Sequence, residues 1–125
     1  MDALLKYPLE SEGKKFGSCV ISMMQHGSWK MQIEIDFSSL PEHNDFQKTT
    51  GKIGNRPEVI AICQVVNKVF TEHNKDEVVA LYTSVKKSCH ELTKVLEAVG
   101  FKQSGSRTKK DGRFIYYEYV RPISQ

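Results

Sequence analysis

Apolar and polar side chains alternate without a break over residues 29–37. Trp29, Met31, Ile33, Ile35 and Phe37 fall on one side, and Lys30, Gln32, Glu34 and Asp36 on the other. This period of two predicts a strand with one buried and one wet face. Residues 16–24 hold Cys19, Val20, Ile21, Met23 and Met24, a second strand pattern. The stretch Gln25, His26, Gly27, Ser28 between them is turn-like, so the pair predicts an antiparallel hairpin.

The pattern then changes period. After a polar, loop-like stretch over residues 38–56, Pro57 suits a first helical position, where its missing N–H costs nothing. Val59, Ile62, Cys63, Val66 and Phe70 recur at helical spacing, with Ile60 and Val69 widening the stripe, and the helix is expected to stop near His73 and Asn74. Residues 77–83 carry the unbroken run Val78, Val79, Ala80, Leu81, Tyr82, which predicts a parallel strand covered on both faces. Ser88 and Glu91 have capping-box spacing ahead of a second helix, whose stripe is Leu92, Val95, Leu96 and Val99. Gly100 is placed for a left-handed cap, with Phe101 folding back on Leu96. Residues 101–107 and 113–121 predict a last hairpin around Lys110, Asp111 and Gly112, closed by Pro122. The expected order is β-β-α-β-α-β-β: an α/β domain with a mixed sheet, a right-handed crossover through the first helix and an antiparallel C-terminal hairpin.

Composition narrows the class. A chain of 125 residues predicts one domain, 1–125, with residues 1–15 as an N-terminal extension and 16–121 as the core. Residues 1–15 leave room for one short helix or strand at most. With 39% hydrophobic and 26% charged residues the chain is too apolar for a disordered protein. No apolar run reaches membrane-spanning length, and residues 1–10 lack the order of a signal peptide. Cys19, Cys63 and Cys89 form no metal-ligand pair, nor do His26, His43, His73 and His90, so no metal site is expected. Free thiols point to a reducing, cytoplasmic compartment. The net charge of +3 is modest, so nucleic acid is not expected as a partner, although Arg107, Lys109, Lys110 and Arg113 stand beside Phe114 and Tyr116. No membrane partner is expected, and a homodimer is left open.

Taken together, the alternating strand, a Gly-containing loop entering a helix, the buried strand, and a short helix running into Val99-Gly100-Phe101 ahead of an aromatic hairpin resemble the GCN5-related N-acetyltransferase (GNAT) superfamily. The resemblance spans residues 16–121, and its last part is similar to GNAT-like bacteriophage proteins. It implies acetyl-CoA as the co-substrate and an amine as acceptor. In that family a Gly-rich loop holds the coenzyme pyrophosphate on backbone N–H groups at a helix N-terminus, an anion site on general grounds. By resemblance the cofactor-binding residues here are Gln47, Gly51, Lys52, Ile53, Gly54, Asn55 and Arg56, with spacing looser than the family motif. Cys89 stands where relatives often carry an Asn that contacts the coenzyme.

The resemblance also places the catalytic groups. The pantetheine arm lies where the alternating strand splays from the next, here at the ends of residues 29–37 and 78–82. The general base in relatives is often a Glu on the first of these strands, which makes Glu34 and Asp36 the candidates; a base is required because an ammonium cannot attack a thioester. The tyrosine that protonates the leaving thiolate in relatives is Leu96 here, which has no proton to give. Tyr82 and Tyr116 are alternative hydroxyls. Two readings follow: an acyltransferase moving acetyl from acetyl-CoA to an amine, or a non-catalytic GNAT-like phage protein, a virion component or an inhibitor bound to a host protein.

Overall fold

A computed structural model describes residues 3–24, 27–39 and 56–122. Six strands and two helices occur in the order β1 (Ala3–Ser11), β2 (Lys14–Met23), β3 (Ser28–Ile35), α1 (Pro57–Glu72), β4 (Ala80–Lys86), α2 (His90–Val99), β5 (Lys102–Lys109) and β6 (Gly112–Val120), with a 3-10 turn at Phe37–Ser39 after β3. They form one mixed sheet in the order β1-β2-β3-β4-β6-β5. β3 and β4 run parallel and every other neighbouring pair is antiparallel. This is the expected architecture with one strand more.

The additional strand is β1, nine residues paired with β2 along its whole length. Leu5, Tyr7 and Leu9 turn to the buried side, and Leu9 is fully buried. Glu12 and Gly13 join β1 to β2 with φ of 53° and 79°, the paired left-handed geometry of a tight hairpin turn. Gly17, in β2, permits a close approach: a Cβ there would sit 2.2 Å from the Glu34 carbonyl oxygen.

Both helices cover the same sheet face. Side chains of odd-numbered strand residues fill the core: Cys19 and Ile21 from β2, Trp29 and Met31 from β3, Leu81 and Val85 from β4, Tyr117 from β6. Val59, Ile62, Val66 and Val69 of α1 meet Val95, Leu96 and Val99 of α2 in the same cluster. Ile60 does not join this stripe; it is 45% exposed. The even-numbered face of the sheet carries no helix among the described residues.

Three local expectations need correction. β4 begins at Ala80, three residues after the predicted start, because residues 75–77 form a turn held by the Asn74 side chain, which accepts from the N–H groups of Asp76 and Glu77. Val79 is 46% exposed, so the apolar run is not covered on both faces. The N-cap of α2 is Cys89 rather than Ser88, and no side chain caps it, so the capping box does not form. The helix end behaves as expected: Gly100 has φ +123°, and the N–H groups of Gly100 and Phe101 both donate to Leu96 O, at 3.1 and 3.0 Å.

Arg121, just after β6, ties the elements together. Its guanidinium donates to the carbonyls of Phe70 and Val78, each at 3.0 Å, and to that of His73. It also lies 4.7 Å from the centre of the Phe70 ring. Two of these carbonyls belong to the last turn and cap of α1, where backbone acceptors lack intrahelical partners.

Candidate functional site

The parallel ladder between β3 and β4 is short. Ser28, Trp29 and Lys30 pair with Ala80, Leu81 and Tyr82, and there it stops, while each strand continues for several residues. The outer partners stay in register: β2 follows β3 to Ile35, and β6 follows β4 to Lys86. The sheet therefore opens as a wedge between its two central strands, closed at the Trp29 end.

Backbone direction across the wedge follows from the outer pairings. Arg121 N–H donates to Val79 O and Lys87 N–H to Arg113 O, both at 2.8 Å, so odd-numbered residues of β4 bond to β6. Ser84 and Lys86 accordingly turn their amides toward β3. Asp36 N–H donates to Phe16 O at 2.8 Å, so even-numbered residues of β3 bond to β2, and Ile33 and Ile35 face β4. Past the third pair these amides look into the gap with no ladder partner among the described residues. The gap holds a cavity of about 250 Å³, walled by Gln32, Ile33 and Glu34 on one side and Thr83 and Ser84 on the other. Among the described residues no bulky side chain plugs it. The open half of β4 lies at residues 83–86, further along than the expected 78–82, whose last three residues form the closed end.

The helices aim at the same end of the sheet. α1 runs antiparallel to β3 and β4, so its N-terminus stands at the mouth of the wedge, and α2 begins just past the end of β4. First-turn N–H groups and the positive ends of two helix dipoles thus gather where the strands part.

The expected site residues separate into groups. Glu34 lines the cavity and is exposed on the open face. Asp36 is not in the wall; its carboxylate accepts from the N–H and hydroxyl of Ser38, which closes the turn at Phe37–Ser39. Arg56 immediately precedes α1 but faces inward: its Nε is 3.4 Å from Glu58 Oε1, with the two side chains 4% and 0% exposed. A carboxylate in the first turn of α1 suits the dipole, and Arg56 offsets its charge. Cys89 is exposed at the start of α2. Gln47, Gly51, Lys52, Ile53, Gly54 and Asn55 lie outside the described residues. Leu96 is fully buried in the core. Tyr82 and Tyr116 are half-buried on the open face, Tyr82 level with Lys30 and Tyr116 level with Ser84. Thr83 and Ser84, in the wall, carry no signal in the sequence; only the register of β4 exposes them to the gap. Among the described residues no cluster suited to a metal ion occurs, and no helix is long and apolar enough to cross a membrane.

No protein-family model and no curated protein matches the sequence. Solved structures do match in shape. An aminoglycoside acetyltransferase in complex with coenzyme A and kanamycin superposes with a TM-score of 0.65 at 15% identity, over 94% of this chain and 67% of its own. The ribosomal-protein-S5-alanine acetyltransferase of Vibrio fischeri gives 0.66 at 15% identity, over 90% of this chain and 57% of its own. A GNAT-family acetyltransferase of Bacillus anthracis gives 0.65 at 13% identity, over 92% and 65%. The chain thus spans about two thirds or less of the length of these structures. Its fold is that of the GNAT acetyltransferases.

Proposed function

We propose that this chain binds acetyl-CoA in the wedge between β3 and β4 and transfers the acetyl group to a primary amine. The observation that carries the reading is the three-pair ladder, which leaves a polar cavity lined by strand amides. Such a slot suits the narrow, amide-bearing pantetheine arm, which hydrogen-bonds like a short strand. The solved aminoglycoside acetyltransferase of the same fold holds coenzyme A.

Acetyl-CoA supplies the acetyl group as a thioester. The amides of Ile33 and Ser84 face the gap, and an N–H held there without reorganisation is suited to the charge that builds on a carbonyl oxygen. Glu34 Oε accepts the proton that the acceptor ammonium must lose before attack. It stands on the open face, so the acceptor approaches from the side that carries no helix among the described residues. Asp36, committed to Ser38, plays no part. Leu96 gives the leaving thiolate no proton, and catalysis rests mainly on positioning. A second reading, a non-catalytic coenzyme-binding protein, is favoured by that same buried leucine.

Two measurements separate these. Acetyl-CoA in about hundredfold excess over its Kd raises unfolding free energy by about 2.7 kcal/mol, read as a rise in melting temperature. No rise at millimolar acetyl-CoA refutes both readings. Release of free CoA thiol with a panel of amines, reduced about 10²-fold or more in Glu34→Gln with an unchanged thermal shift, supports transfer. A thermal shift with no thiol release leaves the binding protein.

A further inference from the structure

We propose that the open face of the sheet, from β3 across β4 and β6 to β5, binds single-stranded nucleic acid. The registers bring side chains from four strands onto this face. Tyr82, Tyr116 and Phe114 form its centre: Tyr82 on β4, the other two on adjacent β6, and all three half-buried. Cations stand around them. Lys30 is level with Tyr82, Lys86 with Phe114, and Arg107 on β5 with Phe114 from the other side. Lys102 and Lys109 take the two ends of β5 on the same face, and Lys109 Nζ lies 4.9 Å from the centre of the Phe114 ring. All five cations are exposed.

Against these five cations the anions on this area are Glu34 and Glu118, with Asp36 just beyond Glu34 at the end of β3, so it carries an excess of two positive charges, most of the net charge of the whole chain. The small total therefore conceals a concentrated field. Its chemistry is that of a backbone-tracking groove with stacking platforms: cations for phosphates, aromatic faces for successive unpaired bases. A half-exposed ring on an open sheet, beside a cation, is how sheet surfaces take up single-stranded bases. The centre of a protein interface is apolar and poor in lysine, which this face is not. In a duplex the bases are already stacked, so rings on a flat sheet add nothing beyond charge. The inference goes beyond acetyl transfer and does not depend on it.

The test is fluorescence anisotropy of labelled U12 RNA, T12 DNA and a 12-base-pair duplex, titrated with the full chain at several salt concentrations. Expected is binding of one or both single strands, tighter than the duplex, with the RNA and DNA arms deciding whether the 2′-hydroxyl is read. The triple variant Lys86→Gln, Arg107→Gln, Lys109→Gln should lower the slope of log K against log salt by about two, at about 0.7 for each phosphate left without its cation. Tyr116→Ser should weaken single-strand binding about tenfold while leaving the slope unchanged, since it removes a stacking ring and no charge. The charge variant alters only exposed side chains, so its result stands even if Tyr116→Ser unfolds. The proposal is overturned by no binding at 50 mM salt, by equal affinity for duplex and single strand, by an unchanged slope in the triple variant, or by displacement with an equimolar acidic peptide.

Discussion

Replacing Arg121 by Ala should be among the more damaging single changes available in this chain. Three backbone carbonyls, of Phe70, His73 and Val78, lose a charged donor at once, and the Phe70 ring loses the cation above it. A hydrogen bond to a charged group contributes about 1.5–3 kcal/mol when buried. Arg121 is only half-buried, so water partly replaces each bond in the variant. Discounting for that, the loss comes to about 3 kcal/mol. For 125 residues the unfolding entropy is roughly 0.26 kcal/mol per degree, so the melting temperature should fall by about 11 °C. Arg121→Met retains most of the aliphatic packing and should lose nearly as much, whereas Arg121→Lys, which has no planar fork to reach three acceptors, should fall between Met and wild type. Scanning calorimetry at pH 7 checks the series. The damage should also reach the site, because Arg121 N–H bonds Val79 O and Val79 N–H bonds Gly27 O, next to the three pairs that close the wedge. A fall below 2 °C in Arg121→Ala would show that the three bonds are replaced by solvent at no cost and would refute the reasoning.

Other changes probe different links. Gly17→Ala places a methyl group 2.2 Å from Glu34 O, a backbone atom that can yield only by moving β3; thermal stability should drop by at least about 1–2 kcal/mol, and acetyl transfer should fall more than in a surface Gly105→Ala control. Alkaline pH should destabilise the fold. Burial pushes the Cys19 thiol up to about 12, and burial with the Glu97 hydrogen bond does the same for the Tyr117 hydroxyl. Both groups stay neutral in the folded chain while their unfolded counterparts ionise near 9 and 10, so their contribution is whole below pH 9 and is lost as pH rises toward 12. A melting temperature that stays level from pH 8.5 to 11 would contradict this. Thiol titration with an aromatic disulfide should find Cys89 fast, half-buried Cys63 slow, and Cys19 silent until the chain is unfolded; early modification of Cys19 would mean that the β2 core opens readily.

The sequence exposes some layers of this structure and hides others. The alternation over residues 29–37 announces β3, Pro57 marks the first residue of α1, and Gly100 marks the end of α2, because each signal is local to a few neighbouring residues. β1 has a local signal too: Leu5, Tyr7 and Leu9 alternate with Lys6, Pro8 and Glu10. Pro8 obscures it, although proline is tolerated on an edge strand. The start of β4 falls elsewhere than expected because an apolar run has no internal period to fix its phase. Above all, the wedge and the cationic face depend on which residue stands opposite which. That Lys86 flanks Phe114, or that pairing ends at Tyr82, is a property of strand register, and register is set by partners far away in the chain.

The two outermost strands set a limit on assembly. β5 presents Lys102, Lys109 and polar residues between them, with a bulge between Gln103 and Gly105. β1, at the opposite margin, carries Pro8 and its own irregularity after Leu9. A ribbon arriving from another molecule meets a kink, a missing N–H or a row of ammonium groups on either flank. Accretion strand upon strand is opposed at both margins, which turns self-association toward the broad surfaces of the sheet and helices.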